Sequence, residues 1–225
     1  MEHKHIVAAF DVELDGLRQS LQEMGGKVVK MISDSVTSLV NKDTPLAEKT
    51  IALDREVNAT EMSIDNRCLE LLALRQPEAK DLRFIALTLK IVTDLERIGD
   101  KCSNIAKRAR ALNGEPSLFE QFSVDIPHMG HLAEVMVKEA LDAFVNEDSD
   151  LAEKVRKDRS RMDGLNDSMQ RILLTYAMES SETCPSVMKI NYVSKALDRI
   201  SDHATNIAEM AIYMVKGKDI RYTKT

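Results

Sequence analysis

The amino-acid sequence predicts an all-α protein built from two tandem antiparallel three-helix bundles. The 225 residues include 12 Met, no Trp, only 8 Gly and 5 Pro, and 4% aromatic residues. Helix formers therefore dominate, and the β-branched and aromatic runs of a sheet protein are missing. Helix-breaking segments divide the chain into six long stretches. Sequence segments of the first half recur in the same order in the second half, and such a fixed period indicates a structural repeat.

Three helices are predicted in the first half. The first spans about residues 5–41, with a kink or local irregularity expected at Gly25–Gly26. An Asn-Lys-Asp-Thr-Pro turn starts the second, which spans about 44–75 and ends at Gln-Pro. The third spans about 78–112 and ends at Asn-Gly-Glu-Pro. We therefore assign residues 1–114 to the first bundle.

The second half repeats this order. An Asp-Ile-Pro start precedes a fourth helix over about residues 125–146, and a fifth spans 149–179. A polar turn over residues 180–185 leads into the sixth, which ends near the Lys-Gly pair at 216–217. Short connections make neighbouring helices antiparallel. Residues 115–217 are therefore assigned to the second bundle, and 218–225 to a polar C-terminal tail.

An apolar stripe is expected to hold each helix in its bundle, because long helices depend on packing more than on propensity. The third helix carries aliphatic residues at helical spacing, and the sixth repeats them. This pattern predicts an aliphatic core in which Met fills gaps. The stripe comprises Ile91, Leu95, Ile98, Cys102, Ile105 and Ala109 in the third helix, and Val193, Leu197, Ile200, Ala204, Ile207 and Ala211 in the sixth.

The internal repeat is visible in two pairs of segments. LVNKDTPLAEK at 39–49 matches FVNEDSDLAEK at 144–154, an offset of 105. DLERIGDKCSNIAKRA at 94–109 matches ALDRISDHATNIAEMA at 196–211, an offset of 102. The two halves therefore differ by about three residues within the second helical hairpin.

Acidic side chains form a ridge on the third helix, well round from the apolar stripe. Glu96, Asp100 and Asn104 are spaced by four residues, about one helical turn, and so share a face. Like charges at this spacing normally destabilise a helix slightly, and a bridging cation would reverse that sign. The equivalent ridge on the sixth helix is Asp198, Asp202 and Asn206.

Acidic residues four apart are weak evidence by themselves. With 37 acidic residues, roughly three such pairs ending in Asp arise by chance, and the chain has five. Four of the five form two sets at an offset of 102, which places one pair on the middle helix and one on the third helix of each bundle. These pairs are Glu61/Asp65 and Glu96/Asp100 in the first half, and Asp163/Asp167 and Asp198/Asp202 in the second.

Two interpretations of the ridges stay open on these observations. They are solvated charge, or they are metal sites in which antiparallel helices bring four carboxylates and an Asn together. Oxygen ligands suit iron, manganese, magnesium or calcium. His203 fits a surface position, and His128 and His131 fit capping or packing. Phosphate-binding loops, nucleophile elbows, zinc spacings and Glu-x-x-His pairs at core-facing positions are not recognised in the sequence, so no catalytic residue is assigned.

Composition and charge argue against several classes of protein. A net charge of −6 without a long basic run disfavours nucleic-acid binding. Cys68, Cys102 and Cys184 lack CxxC spacing and are expected to be reduced thiols in the cytoplasm. No signal peptide is recognised, and no stretch approaches the ~20 apolar residues of a membrane span. Membrane contact is therefore expected only through partners.

Several segments together carry a family resemblance over about residues 4–222. They are MGGKVVKMISDSV, LRQPEAKDLRFI, DLERIGDKCSNIA, LDRISDHATNIAE and YMVKGKDIR. On these segments the sequence resembles the PhoU family, accessory proteins of the bacterial phosphate-specific transport system. The resemblance implies tandem three-helix bundles, commonly in a homodimer. It also implies a negative regulator of phosphate uptake and of phosphate-starvation signalling.

The resemblance further implies partners and a metal. The partners are the ATPase subunit of the phosphate transporter and a phosphate-responsive sensor histidine kinase. The metal is multinuclear iron or zinc bound by the paired acidic motifs, which fall on the four pairs named above. The prediction is thus a non-enzymatic, metal-binding regulatory adaptor in the cytoplasm. A carboxylate-bridged metal-dependent enzyme or a metal-storage bundle is the alternative.

The second half departs from the family pattern in two ways. It has LDRISD where the family often has ERIGD, so the shorter Asp198 replaces Glu and Ser201 replaces Gly. It also lacks the PxxxDLR segment found at residues 77–83. The two bundles are therefore expected to be non-equivalent in metal binding and in their partners.

Overall fold

The computed structural model describes residues 2–113 and 125–218, and its long elements there are all α-helices. Their bounds agree closely with the six predicted stretches. In chain order they are α1 (Glu2–Val40), α2 (Thr44–Arg75), α3 (Ala79–Leu112), α4 (Asp125–Val145), α5 (Ser149–Glu179) and α6 (Cys184–Lys216), with a 3₁₀ turn, Ser181–Thr183, between α5 and α6.

Side-chain caps and turn residues fix where the helices begin and end. Asp43 precedes α2 and accepts a hydrogen bond from the Leu46 N–H at 2.9 Å, with a proline in the first turn. Gln76 ends α2 in the left-handed region, with a φ of 48°. Asp148 caps α5 by accepting from the Leu151 N–H at 2.9 Å. The capping residues lie in the polar turns of the sequence, and for this reason the helix ends could be predicted from those turns.

The helices form two three-helix bundles, as predicted. In the first, α1, α2 and α3 pack on one another, and in the second α4, α5 and α6 do the same. The predicted apolar stripes of α3 and α6 are buried throughout. Methionines fill both cores and are fully buried. Met24 and Met31 in the first bundle are repeat-equivalent to Met129 and Met136 in the second, where Met162 and Met169 are buried as well.

The bundles lie side by side, with α1 against α4 and α3 against α6. A Cβ atom at Gly25 would collide with Leu141, and one at Gly130 would lie 2.8 Å from Cγ2 of Val36. Gly25 and Gly130 are repeat-equivalent at the offset of 105, and so are Val36 and Leu141. The same contact therefore occurs twice, as it would about an approximate two-fold axis.

The helix α1 continues unbroken through Gly25 and Gly26, where the sequence predicts a kink or local irregularity. Gly25 instead permits the close approach of α4, since any larger residue there would meet Leu141. A Cβ atom added at Gly26 would have no described atom within 4 Å, so Gly26 lies away from this contact. The first glycine is thus explained by packing between the bundles.

Two aromatic contacts also join the bundles. The rings of Phe84 in α3 and Phe144 in α4 stack with their centroids 5.4 Å apart. The guanidinium of Arg108 in α3 lies 3.1 Å from the ring centroid of Tyr192 in α6. Few aromatic residues are present in the chain, and these three lie at the junction of the two halves.

Some of the sequence predictions fall outside the described residues. The division between bundles at 114 and 115 lies at the edge of residues 114–124, and most of the predicted tail lies in 219–225. The division into domains therefore stays a prediction. Among the residues that are described, no helix combines the length and the apolar character that crossing a bilayer requires.

Candidate metal centre

The first bundle gathers acidic side chains where α2 packs against α3. Asp54 Oδ1 lies 3.7 Å from the position that a Cβ would take on Gly99, the residue beside Asp100. Asp100 and Asp54 repel each other electrostatically, and so do Glu96 and Glu61. The acidic ridge of α3 thus lies opposite a second acidic ridge on α2, as predicted for antiparallel neighbours.

Burial and mutual repulsion disfavour the charged form of this cluster. Burial raises the pKa of Asp54, and Asp100 raises it further. Burial likewise raises the pKa of Glu61, with added repulsion from Glu96 and Asp65, and it raises the pKa of Asp65. Perturbed carboxylates grouped in this way are typical of functional sites.

The positive groups nearby only partly compensate the cluster. Burial and Asp100 raise the pKa of Glu96, while Arg97, whose Nε lies 3.5 Å from a Glu96 oxygen, opposes the shift. Arg97 also opposes the raised pKa of Glu61 but is itself largely exposed. An exposed ion pair of this kind contributes little, so the cluster keeps an excess of negative charge.

Several oxygen atoms of the cluster are buried without a hydrogen-bond partner. They are Oδ1 of Asp54, Oδ1 of Asn58 and Oδ1 of Asp65. Buried polar atoms nearly always have partners, and exceptions call for an explanation such as an ion or a function. The donor set is all oxygen, which suits hard or borderline cations. On this observation the first bundle fits the metal that the family resemblance implies.

The side chains are not gathered into a finished coordination shell. Among the described residues, no three His, Cys, Asp or Glu side chains converge closely enough to hold an ion. Asn104 lies a turn beyond Asp100, and Arg108 Nη1 donates to its backbone carbonyl at 3.3 Å. An ion on this face would therefore have to draw side chains of α2 and α3 together.

Sequence reasoning missed two members of the cluster, Asp54 and Asn58. They extend the α2 ridge through Glu61 to Asp65 with spacings of four, three and four residues, so all four side chains share one face. A search limited to acidic pairs four apart does not find Asp54, because its partner at that spacing is an amide. The longer ridge opposite Glu96 and Asp100 is the signal that would have found both.

The second bundle follows a different register from the one inferred. Buried residues of α2 and α5 correspond at an offset of 105, as Val57/Met162 and Ile64/Met169 show. Those of α3 and α6 correspond at 102. The three-residue difference therefore lies at the connection between α5 and α6 and not within a helix.

This register changes the predicted equivalences on α5. Pairing Glu61 with Asp163 is wrong, because Asp163 takes the place of Asn58. Asp167 takes the place of the exposed Met62 and is itself exposed. At the place of Glu61 the second bundle has Asn166, whose Oδ1 accepts a hydrogen bond from Ser194 at 2.8 Å. The acidic pair on α5 is therefore not a copy of the pair on α2.

A guanidinium lies among the carboxylates of the second bundle. Arg159 contacts Asp163 at 2.7 Å, and it contacts Asp198 and Asp202 on α6 at 2.9 and 2.8 Å. Burial opposes the charge on Arg159, but Asp202, Asp198 and Asp163 outweigh it and hold its pKa above the usual value. Burial still raises the pKa of Asp198, which Arg159 opposes, and Oδ1 of Asp198 has no hydrogen-bond partner. Because one guanidinium contacts all three carboxylates, the second bundle does not fit a metal as the first does.

Asn206, the last residue of the predicted second ridge, lies at the junction between bundles. Its Nδ2 is 3.5 Å from Oδ1 of Asp94 in α3, and the same oxygen lies 2.7 Å from Nδ1 of His203. Asn206 is therefore directed to the first bundle and away from Arg159. His203, which the sequence placed at the surface, is a contact between α3 and α6.

We predict that Asp54→Asn stabilises the metal-free protein. A carboxyl whose pKa is raised on folding lowers stability as pH rises from its unfolded pKa through its folded pKa. The amide removes this loss, so the gain should be largest near pH 7 and disappear near pH 3. Because Asp54 is only half-buried, we expect under ~1 kcal/mol, measured by denaturant unfolding at both pH values. The exposed Asp11→Asn is the control, and an equal gain in both variants would contradict the explanation.

Comparisons with known proteins were made for the sequence and for the structure. The family described as "PhoU domain" matches residues 21–109 and again residues 126–211. The Pseudomonas aeruginosa "Phosphate-specific transport system accessory protein PhoU homolog" is 41% identical over 97% of this chain and 90% of its own. The Escherichia coli protein "Phosphate-specific transport system accessory protein PhoU" is 36% identical over 98% of this chain and 90% of its own.

Solved structures give the same answer for the fold. The crystal structure of PhoU from Pseudomonas aeruginosa superposes with a TM-score of 0.88 at 41% identity, covering 93% of this chain and 100% of that one. The phosphate transport system regulatory protein PhoU from Streptococcus pneumoniae superposes with a TM-score of 0.86 at 30% identity, covering 93% and 98%. Both halves of the described fold match, and the chain belongs to the PhoU family.

Proposed function

We propose that this protein is a non-enzymatic regulatory adaptor of phosphate-specific transport. In this role it represses phosphate uptake and phosphate-starvation signalling when phosphate is plentiful. It acts in the cytoplasm, as a homodimer, between the ATPase subunit of the phosphate transporter and a phosphate-responsive sensor histidine kinase. The observation that carries the proposal is the end-to-end match to relatives that are named accessory proteins of the phosphate-specific transport system.

Features of the surface support an adaptor. Large apolar side chains are exposed on α2 and α5, among them Leu69 and Leu174, which are repeat-equivalent and are 56% and 62% exposed. Solvent-facing apolar side chains that recur in both halves suit contact with other proteins.

The groove between α1 and α2 has a volume of about 760 Å³ but is wide open to solvent and lined by charged as well as apolar residues. Its shape differs from the enclosed apolar cleft typical of a small-molecule site.

Co-purification tests the proposal. The full-length protein is mixed separately with the transporter ATPase subunit and with the cytoplasmic part of the sensor kinase at physiological salt. We expect both to be retained, and we expect Leu69→Glu with Leu174→Glu to weaken retention while the helical content is unchanged. Cells that lack the protein should keep a high rate of phosphate uptake in phosphate-rich medium. Failure to retain either partner, with unchanged uptake in such cells, would overturn the proposal.

We further propose that the carboxylates of the first bundle bind a metal, with iron or zinc expected and manganese, magnesium or calcium as the other candidates. The residues that would hold it are Asp54, Asn58, Glu61, Asp65, Glu96 and Asp100. The uncompensated negative charge and the unpartnered buried oxygens support this proposal. Such an ion would offset the repulsion between α2 and α3 and tie the two helices together.

Metal analysis of protein purified without chelators tests this part. We expect the metal content to fall at least tenfold in a Glu61→Gln, Glu96→Gln variant and to be unchanged in the exposed Asp11→Asn. The same carboxylates favour a second candidate function, a metal-dependent enzyme or a metal store. Turnover or storage of many ions per chain by the metal-loaded protein, lost in the double variant, would favour that alternative over the adaptor.

A further inference from the structure

The two bundles place opposite charges at one repeat-equivalent position. At the offset of 105 that relates α2 to α5, Arg159 takes the place of Asp54. At the offset of 102 that relates α3 to α6, Asp198 and Asp202 take the places of Glu96 and Asp100. The α6 carboxylates are thus retained, while the helix facing them has exchanged a carboxylate for a guanidinium.

The exchange alters the charge of the whole face. The first bundle has five carboxylates and one amide at the six equivalent positions, a formal charge of −5. The second bundle has three carboxylates, two amides and one guanidinium, a formal charge of −2. The positions are Asp54, Asn58, Glu61, Asp65, Glu96 and Asp100 in the first bundle, and Arg159, Asp163, Asn166, Gln170, Asp198 and Asp202 in the second.

The contacts of Arg159 show that its guanidinium is built into the face. Nη1 meets Asp163 on its own helix, while Nη2 and Nε meet Asp198 and Asp202 on α6. Each of its three nitrogens therefore has a carboxylate oxygen within 2.9 Å. The Nε–Asp202 contact is a hydrogen bond, while the contacts of Nη1 with Asp163 and of Nη2 with Asp198 are ion pairs without hydrogen-bond geometry. Its side chain is 21% exposed, in contrast to Arg97 of the first bundle, which is 58% exposed and lies 3.5 Å from Glu96. A planar guanidinium with several matched carboxylates is a stronger and more specific contact than an exposed pair.

We propose that Arg159 is the built-in cation of the second bundle, and that metal binding is confined to the first. This inference rests on the proposed metal binding of the first bundle. The guanidinium partly neutralises the negative charge of Asp163, Asp198 and Asp202, and it links α5 to α6 without a bound ion. Among the described residues of the first bundle, the face has no such side chain, so only an ion from solution would bridge the carboxylates of α2 and α3. The two halves of one fold thereby differ in whether their helix pairing responds to metal.

Three full-length proteins test the inference, namely the natural chain, Arg159→Asp and the reciprocal Asp54→Arg. Each is stripped of metal, titrated with Zn²⁺ and, anaerobically, with Fe²⁺, and its bound metal and Tm are measured. We expect the natural chain to bind metal that Asp54→Arg loses. We expect Arg159→Asp to bind about twice as much per chain, to melt lower than the natural chain without metal and to regain Tm when metal is added. Equal metal content in Arg159→Asp and the natural chain would overturn the inference.

A second measurement does not depend on the folding of Arg159→Asp. In the natural background, Asp163→Asn with Asp202→Asn should leave bound metal unchanged, because these carboxylates pair with Arg159. Loss of half or more of the metal in this variant would overturn the inference. If the natural chain binds none while Arg159→Asp binds some, metal binding by the first bundle fails and the role of Arg159 stands. If neither binds, both proposals fail.

Discussion

Replacing Phe144 with Ala is expected to lower the free energy of unfolding by about 3–5 kcal/mol. Phe144 is 1% exposed, lies in α4 and stacks on Phe84 of α3 with the ring centroids 5.4 Å apart. Truncation removes the aromatic pair and leaves a cavity at the junction of the two bundles. The folded state therefore loses the transfer free energy of the ring and also bears the cost of the cavity. Denaturant unfolding followed by circular dichroism, with the midpoint and slope compared, measures the loss.

Two further variants separate packing from mere loss of apolar surface. Leu174 in α5 is 62% exposed, so Leu174→Ala should change stability by within about 0.5 kcal/mol. Phe84→Leu combined with Phe144→Leu should show a coupling of about 0.5–1.5 kcal/mol, the range of an aromatic pair. A loss of under ~1 kcal/mol in Phe144→Ala would mean that the α3–α4 contact is not part of the stable core.

The second large effect is expected at Gly130, where α4 crosses α1. A Cβ there would lie 2.8 Å from Cγ2 and 3.1 Å from Cγ1 of Val36. The β-branched Val36 has little rotamer freedom in a helix and cannot withdraw, so the helices must separate. We expect Gly130→Val to destabilise by about 1–3 kcal/mol, with a lowered Tm and an unchanged helical content.

Gly164 in α5 is the matched control, because it is also a helix-interior glycine but has nothing within 4 Å of a Cβ position. Gly164→Ala should therefore stabilise by about 0.5–1 kcal/mol through helix propensity alone. The changes in stability of the two variants should have opposite signs. This difference separates the effect of the contact between bundles from the low helix propensity of glycine. If Gly130→Val were neutral, α1 and α4 would not approach as closely as the structure shows.

Much of the fold could be predicted from the sequence, because helix boundaries are local. Asp43 and Asp148 cap the helices that follow them, and each lies in a polar turn that is legible without tertiary information. The apolar stripes were recognisable for the same reason, since helical spacing alone defines a face. The close helix contact at Gly25 is not visible in the sequence, because it depends on Leu141, more than a hundred residues away. Local pattern cannot distinguish a kink from a close helix crossing.

The candidate site was predicted on α3 and only partly on α2. Glu96 and Asp100 were found since they are acidic and four residues apart, but Asp54 became visible only opposite Asp100. The acidic pair of α5 matches the pair of α2 at an offset of 102 only by chance, because acidic pairs are common in this sequence. Burial resolves the alignment, since apolar residues facing the core leave only one register for α5. The paired acidic motif does not predict the role of Arg159, because the motif describes metal ligands and not a cation in their place.

The two-fold arrangement of the halves has a consequence for how they can differ. Gly25 with Leu141 and Gly130 with Val36 meet as the subunits of a symmetric dimer do. Because both halves belong to one chain, their effective concentration is set by covalent connection and does not fall on dilution. A true homodimer of single bundles would carry the same residue at both copies of each site. Joining the halves in one chain removes that constraint, so one half can have Asp54 where the other has Arg159. Two bundles with the same fold can then differ in metal binding.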